Sequence, residues 1–363
     1  MQIPEIQVGI MQAETIEMNF EGPYKLEGSS YVFEGSQTVS LRGKSIEIND
    51  CGVLEKELYF IPLDTNSGQF ELKDVTIGVD FHWEQKENQK FQGALKLIVE
   101  DGQITAVNVL PLENYLISVI SSEMSATSSL ELLKAHAIIS RSWLIAQIEK
   151  QDNLIGTESK YQSTIESENE FIKWYDREDH INFHVCADDH CQRYQGTTRA
   201  HNPNVVKAVN ETSGVILSYN GEVCDARYSK CCGGIAELFE NCWEPVSHPY
   251  LTDVIDNPYI PENFETDLTI EENSIAWLRN EPEAFCNTKD EDILKQVLNE
   301  YDWTAKDFYR WKVEYTQQEL SELILKRSGQ DFGEIIDLVP VERGVSGRLI
   351  KLKIVGTKKI LTF

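Results

Sequence analysis

The chain has 363 residues, 41% hydrophobic and 26% charged, and a formal net charge of -27. That length is enough for a substantial core and two or three structural units. The acidic balance supplies no basic footprint for phosphates, which argues against a nucleic-acid partner and against docking on an anionic membrane. No window approaches the roughly 18 apolar residues of a spanning helix, so no transmembrane segment is expected. The opening MQIPEIQVGIMQAE has neither the basic stretch nor the long apolar run of a signal peptide. Two readings stay open: the protein stays inside the cell, or this sequence has lost its leader.

Residues 1–105 read as a β-rich N-terminal domain. QVGIM, YVFEG, TVSLRG, SIEI, ELYFIPL, VTIGVDFHW and ALKLIVEDGQITAVNVL are short runs rich in Val, Ile and aromatics, separated by turn residues. Asp101-Gly102 between alternating runs predicts a tight hairpin, because a type I′ turn needs positive φ at both central positions. From Leu112 the apolar period changes from two to about 3.6. LENYLISVISSEM predicts a short helix, and SATSS predicts a break. Ser128 with Glu131 fits a capping box, so a second helix is predicted from there to about Lys150, with Leu130, Leu133, Ala137 and Leu144 as its apolar stripe.

Residues 106–363 read as a second domain with a loop-rich insertion at 151–200 and a helical, acidic one at 260–310. A hairpin is predicted around Asn220-Gly221, and WKVEYTQ, QELSELILKRSG and RLIKLKIVGTKKILTF predict a strand, a helix and strands. The expected class is α+β: antiparallel β-rich N-terminal region, central helical pair, mixed β/α C-terminal part.

The stretch PLENYLISVISSEMSATSSLELLKAHAIISRSWLI resembles the SpoIID/LytB family, through Pro111-Leu112-Glu113, Tyr115-Leu116, Glu123-Met124, Leu133-Lys134-Ala135, Ala137 and Arg141-Ser142-Trp143. YSKCCGG, ENCW, PYLTDVID and GVSGRLIKLKIVG look like later family segments and extend the likeness to about residue 357. Ala236 stands where the family often has Thr or Ser, and the arginine-containing segment that commonly follows the last strand is not seen after ILTF.

The resemblance implies a lytic transglycosylase acting on peptidoglycan glycan strands stripped of stem peptides, with Glu123 as its catalytic acid. The LytB branch implies an alternative, a non-catalytic module that binds wall glycans and enhances an amidase. Cleaving a glycosidic bond needs a proton on the leaving oxygen and stabilisation of an oxocarbenium-like centre. Attack by the sugar's own 6-hydroxyl gives a 1,6-anhydro product, so one carboxyl can serve first as acid and then as base. Lys134 and Arg141 lie seven apart on nearly one helix face and are expected to contact substrate oxygens. Tyr228 and Ser229 offer hydroxyls to a sugar, and Gly233-Gly234 permits close backbone approach.

HINFHVCADDHCQ places His180, His184, Cys186, His190 and Cys191 within one loop. Thiolate and imidazole ligands suit tetrahedral zinc. The favoured set is His180, Cys186, His190 and Cys191, with His184 as substitute; a disulfide or unliganded thiols are the alternative, and some family members resemble the zinc arrangement. Vicinal Cys231-Cys232 reads as free thiols or metal ligands, since a disulfide between neighbours is strained. A thiol nucleophile there, with His248 as base, is a further reading.

Overall fold

Along many of the first ten strands, Val, Ile, Leu and aromatic side chains alternate with polar ones, and the apolar face is buried. The computed structural model describes residues 4–48, 52, 54–65, 67–79, 84–125, 127–154, 164–174, 180–198, 200, 202–229, 231–262, 264–298 and 309–363. They divide into two compact units. The first comprises Met1–Asp152, Asp179–Asp225 and Lys295–Asn299; the second comprises Asn153–Glu178, Ala226–Leu294 and Glu300–Phe363. No helix among the described residues is long and apolar enough to cross a membrane.

The first unit is built on β1 (Glu5–Ala13), β2 (Thr15–Leu26), β3 (Val32–Arg42), β4 (Ser45–Ile48), β5 (Leu54–Glu55), β6 (Glu57–Pro62), β7 (Gln69–Ile77), β8 (Gln85–Gln92), β9 (Ala94–Glu100) and β10 (Gln103–Pro111). They pair antiparallel in one sheet along the path β1-β10-β9-β6-β2-β3-β4-β5, with β7 joining β2 to β8. Asp101 (φ 48°) and Gly102 (φ 76°) make the predicted turn between β9 and β10. The predicted boundary at residue 105 falls inside β10, which lies between β1 and β9 and leads directly into the first helix. The β-rich region and the helical pair therefore share one unit. YVFEG and TVSLRG are one strand rather than two, and the DFHW end of VTIGVDFHW lies outside the described residues.

Helix α1 (Leu112–Glu123) buries Leu112, Tyr115, Leu116, Val119 and Ile120, and also Ser118, Ser121 and Ser122. A helix buried nearly all round belongs to the core. Its inward serines are satisfied locally: Ser121 and Ser122 donate to the carbonyls of Ile117 and Ser118. Helix α2 (Leu130–Leu154) starts one turn residue later than expected. Ser129 Oγ, not Ser128, accepts from the Leu132 N–H, and Ser128 Oγ donates to Gln296 O at 2.6 Å. Leu133, Ala137 and Leu144 of the predicted stripe are fully buried.

In the second unit, β11 (Thr164–Glu166) pairs with β12 (Phe171–Lys173). Returning to the first unit, β13 (Val185–Cys186) runs parallel to β1, followed by α3 (Pro203–Glu211) and the hairpin of β14 (Ser218–Tyr219) and β15 (Glu222–Val223) around Asn220 and Gly221. The second unit continues with α4 (Glu271–Asn280) and, at its edge in the chain, α5 (Glu291–Val297). The expected helical character of 260–310 rests on these two, since 299–308 lies outside the described residues. WKVEYTQ is not a strand: residues 311–316 are unpaired and Thr316 caps α6 (Gln317–Ser328), whose N3 Glu319 completes a capping box. A final antiparallel sheet joins β16 (Ile335–Arg343), β17 (Leu349–Gly356) and β18 (Ile360–Thr362).

Candidate active site

Glu123 is the last residue of α1; Met124 turns extended at once, with φ -123° and ψ 159°. The buried face of α1 fixes the helix rotation, and with it the direction in which Glu123 leaves the core. Its side chain is 14% exposed. Oε2 lies 3.0 Å from His136 Nε2 on α2, and Oε1 accepts the Arg193 N–H at 3.0 Å. His136 is buried on the same helix as Leu133 and Ala137. A carboxyl so held has one geometry to offer, and a proton on the Oε2–Nε2 contact can sit on either atom.

The second grip comes from a run stitched to the helices. Gln192 Oε1 accepts from Tyr115 Oη at 3.2 Å, and its Nε2 donates to Ser140 O. The Gln195 N–H donates to Ser118 Oγ. Tyr194 is fully buried, stacks on Tyr115 with ring centroids 5.2 Å apart, and donates to Asn108 Oδ1; burial pushes its hydroxyl well above the usual range. The Arg193 guanidinium forks onto Asp189 at 2.8 and 2.9 Å. Gln192–Gln195 is thus a fixed ledge, and one of its N–H groups points at Glu123.

Just before that ledge lies the Cys/His loop. β13 attaches it to β1, pairing Val8 with Val185 and Gly9 with Cys186. Gly9 is required there, since a Cβ would stand 2.6 Å from the Phe183 ring. The ligand atoms of His180, Cys186, His190 and Cys191 all lie within 4.8 Å of one another. Cys191 Sγ is 3.5 Å from His180 Nε2 and from His190 Nδ1, and Cys186 Sγ is 3.8 Å from His190 Nδ1. A tetrahedral zinc with ordinary Zn–N and Zn–S bonds spaces its ligands about 3.3–3.8 Å apart, so these residues fit the ion. The contact with Cys191, and lesser ones with His180 and His190, holds the Cys186 thiol far below its usual range despite burial. His184 is not the substitute ligand: its Nδ1 accepts from the Gln7 N–H and its own N–H donates to Gln7 O, which ties it to the sheet edge.

Arg141 and Lys134 both meet protein carboxylates. Arg141 is 1% exposed; it forks onto Glu113 at 2.7 and 3.1 Å and donates to the carbonyls of Ala137 and Val215. Its planar donor set joins α1, α2 and the turn after α3. Ser142 continues the joint by accepting from the Leu217 N–H at 2.8 Å. Lys134 is shared by Glu211 at 2.8 Å and Glu131 at 3.2 Å, and these two hold its ammonium above the usual range. Neither cation points at Glu123; the partners the sequence reading missed are His136 and the Arg193 backbone. His136 occupied the unread position of Leu-Lys-Ala-x-Ala, and a polar ring within an apolar stripe was its only local signal.

Tyr228, Ser229, Gly233 and Gly234 belong to the second unit. Tyr228 and Ser229 are exposed, and both glycines have positive φ (69° and 101°), as the glycine pair suggested. Gly233 O accepts from Trp277 Nε1 at 3.2 Å and Arg310 Nη1 at 3.1 Å. Among the described residues, no histidine meets Cys231 or Cys232. Contact with Cys286, then burial, raises both thiols, which disfavours a thiolate nucleophile, while His248 packs on Phe239 and Tyr250.

Two family models match parts of the chain. Residues 100–219 match the family model described as stage II sporulation protein, and residues 237–363 match one described as a domain of unknown function. The first match ends before YSKCCGG, so the likeness read there and at GVSGRLIKLKIVG lies outside it. The chain is 27% identical over 150 residues to stage II sporulation protein D of Bacillus subtilis, covering 41% of this chain and 39% of that protein. It is 25% identical over 243 residues to an uncharacterised protein of Brachyspira hyodysenteriae, covering 64% of this chain and 53% of that protein. The chain therefore spans about half or less of the length of these relatives. Glu123, His136, the ledge and the Cys/His loop all fall within residues 100–219, the segment similar to the SpoIID (stage II sporulation protein) family.

Proposed function

We propose that the protein acts on the cell wall as a lytic transglycosylase, cleaving the MurNAc–GlcNAc bond of peptide-free glycan strands with Glu123 as acid and then base. The observation that carries this reading is the carboxyl of Glu123, 14% exposed and gripped by a histidine nitrogen and a backbone N–H. Glu123 gives its proton to the leaving glycosidic oxygen as the C1–O bond breaks. The carboxylate then takes the proton of the 6-hydroxyl as that oxygen bonds C1, closing the 1,6-anhydro ring with no water consumed. His136 holds Oε2 in place through both steps. In the second unit, Tyr228, Ser229 and the Gly233-Gly234 backbone are proposed as sugar contacts.

Zinc, when bound by His180, Cys186, His190 and Cys191, is proposed to act as a structural clip, since the loop that carries these ligands also carries the ledge at Arg193. The test is incubation of the purified protein with denuded glycan strands, followed by analysis for anhydromuramyl ends. Production by the wild type and loss in Glu123→Gln support the reading. Full cleavage by Glu123→Gln overturns it, and strand binding with no anhydro product assigns the protein to the wall-binding or amidase-enhancing class.

A further inference from the structure

The second unit carries another thiol cluster, assembled from three stretches far apart in the sequence. Cys231 and Cys232 precede the Gly233-Gly234 turn. Asp256 follows the bridge between Ile235 and Ile255, and its N–H donates to Gly234 O at 3.0 Å. Cys286 lies in a single 3-10 turn, Phe285–Asn287. Its N–H donates to Asp256 Oδ2 at 2.8 Å, and the Phe285 N–H donates to Asp256 O at 2.8 Å. The ligand atoms of Cys232, Asp256 and Cys286 all lie within 4.8 Å of one another. Cys232 and Cys286 are 3.8 Å apart at sulfur, and Cys231 adjoins Cys232 in the chain.

From this geometry we propose a second metal site, in which Cys231, Cys232, Cys286 and Asp256 bind one thiophilic divalent cation of the zinc class. Two thiolates on a tetrahedral zinc stand about 3.8 Å apart, the separation seen between Cys232 and Cys286. That separation is well beyond a disulfide bond of about 2.05 Å. Three thiolates and a carboxylate carry more negative charge than one divalent ion cancels. Arg310 and Arg348 stand at the same turn, donating to the carbonyls of Gly233 and Cys232 at 3.1 and 2.6 Å. The Cys286 N–H bond orients the Asp256 carboxylate, as outer partners of metal ligands commonly do.

The site also has a structural purpose. The buried apolar cluster beside it, among the described residues, is Ile235, Leu268 and Trp277. So small a core does not by itself hold three irregular segments, and an ion bonded to all of them does. Binding replaces three thiol protons, which leave to solvent. Because Cys232 adjoins Gly233-Gly234, the ion would set the turn that presents Tyr228 and Ser229.

The test separates this cluster from the His180–Cys191 one. Full-length Cys186→Ser/Cys191→Ser protein, purified with zinc and dialysed, is expected to retain one ion per chain by elemental analysis. Cobalt(II) loading should give thiolate charge-transfer absorption, and X-ray absorption should show three sulfurs and one oxygen. Adding Cys286→Ser should reduce the ion count to near zero. An ion-free Cys186→Ser/Cys191→Ser protein that keeps its wild-type far-UV dichroism overturns the proposal, as does loss of two titratable thiols to a Cys232–Cys286 disulfide in freshly purified protein. If the double variant fails to fold, the wild type decides: two ions per chain, falling to one in Asp256→Asn, support the site, and a count unchanged by Asp256→Asn and by Cys286→Ser overturns it. None of these readouts depends on glycan cleavage.

Discussion

The two units solve the same stability problem by different means. In the first, one continuous cluster of buried side chains runs from Ile6 through the sheet to Leu144 and Val209, taking in all of α1's apolar face. In the second, among the described residues, apolar burial is split between Phe332, Ile335, Ile354 and Leu361 on one side and Ile235, Leu268 and Trp277 on the other. Discrete polar ties do the remaining work: Glu237 accepts from Ser346 and Asn241, Arg348 from below the turn donates to Cys232 and Ile235, and Arg343 forks onto Glu271. A continuous core suits a carboxyl that must not move. Separate ties suit segments that can be adjusted one at a time.

The contrast can be broken in several ways, beginning with the largest effect. Glu123→Gln should lower anhydromuramyl production by about a thousandfold, the scale of a lost general acid. The pair Tyr228→Phe and Ser229→Ala should instead raise KM with kcat nearly kept; an equal loss of kcat would place chemistry in both units. Arg141→Ala leaves the half-buried Glu113 without its main partner and should cost about 3 kcal/mol in chemical denaturation. Arg343→Ala, which removes an exposed pair, should change the same measurement little. If the two losses are alike, burial is not what distinguishes the units.

Smaller effects sharpen the contrast further. His136→Ala should reduce kcat roughly tenfold or more, with KM kept and the pH–rate profile reshaped, because Oε2 loses its proton partner. Chelation of metal from Cys186→Ser/Cys191→Ser protein isolates the second unit, whose melting temperature should fall while the sheet signal of the first is kept. The smallest expected effect concerns acid. Burial acts to raise Glu237, yet bonds from Ser346, Asn241 and the Leu238 N–H outweigh it and leave the carboxyl below its usual range. A depressed carboxylate contributes stability above the ordinary glutamate value, near 4.3, and loses it as pH falls through the lower folded value. The melting-temperature gap between wild type and Glu237→Gln should therefore close as pH drops from 5 toward 3.

Much of the first unit is legible in its sequence, for local reasons. β9 and β10 announce themselves because alternation and an Asp-Gly turn are properties of adjacent residues. β2 was missed although Ile16, Met18, Phe20, Tyr24 and Leu26 are all buried, because Gly22-Pro23 reads as a break and the strand passes through it with Gly22 at φ 108°. β8, QKENQKFQ, was missed because Phe91 is its only large apolar residue, and Phe70 and Tyr194 supply the packing that makes it a strand. The His180–Cys191 cluster could be read because its ligands sit in one loop. The contact of Glu123 with Arg193 spans seventy positions, and that of Cys232 with Cys286 spans fifty-four. Pairings of that range leave no periodic trace. The same holds for Arg141, whose role depends on a glutamate twenty-eight residues away that the family pattern contains but does not explain.

The ledge at Gln192–Gln195 has a consequence for the order of events in folding. Strands β1–β10 and helices α1 and α2 are complete by residue 154, so on a growing chain they can collapse before the ledge exists. The grip on Glu123 forms only after a loop of about forty further residues has closed and seated Tyr194 behind α1, a late and entropically costly contact. A chain halted short of Arg193 would hold the sheet and the helices but not the clamped carboxyl. The carboxyl is thereby set only after the sheet strands β1–β10 and the two helices exist.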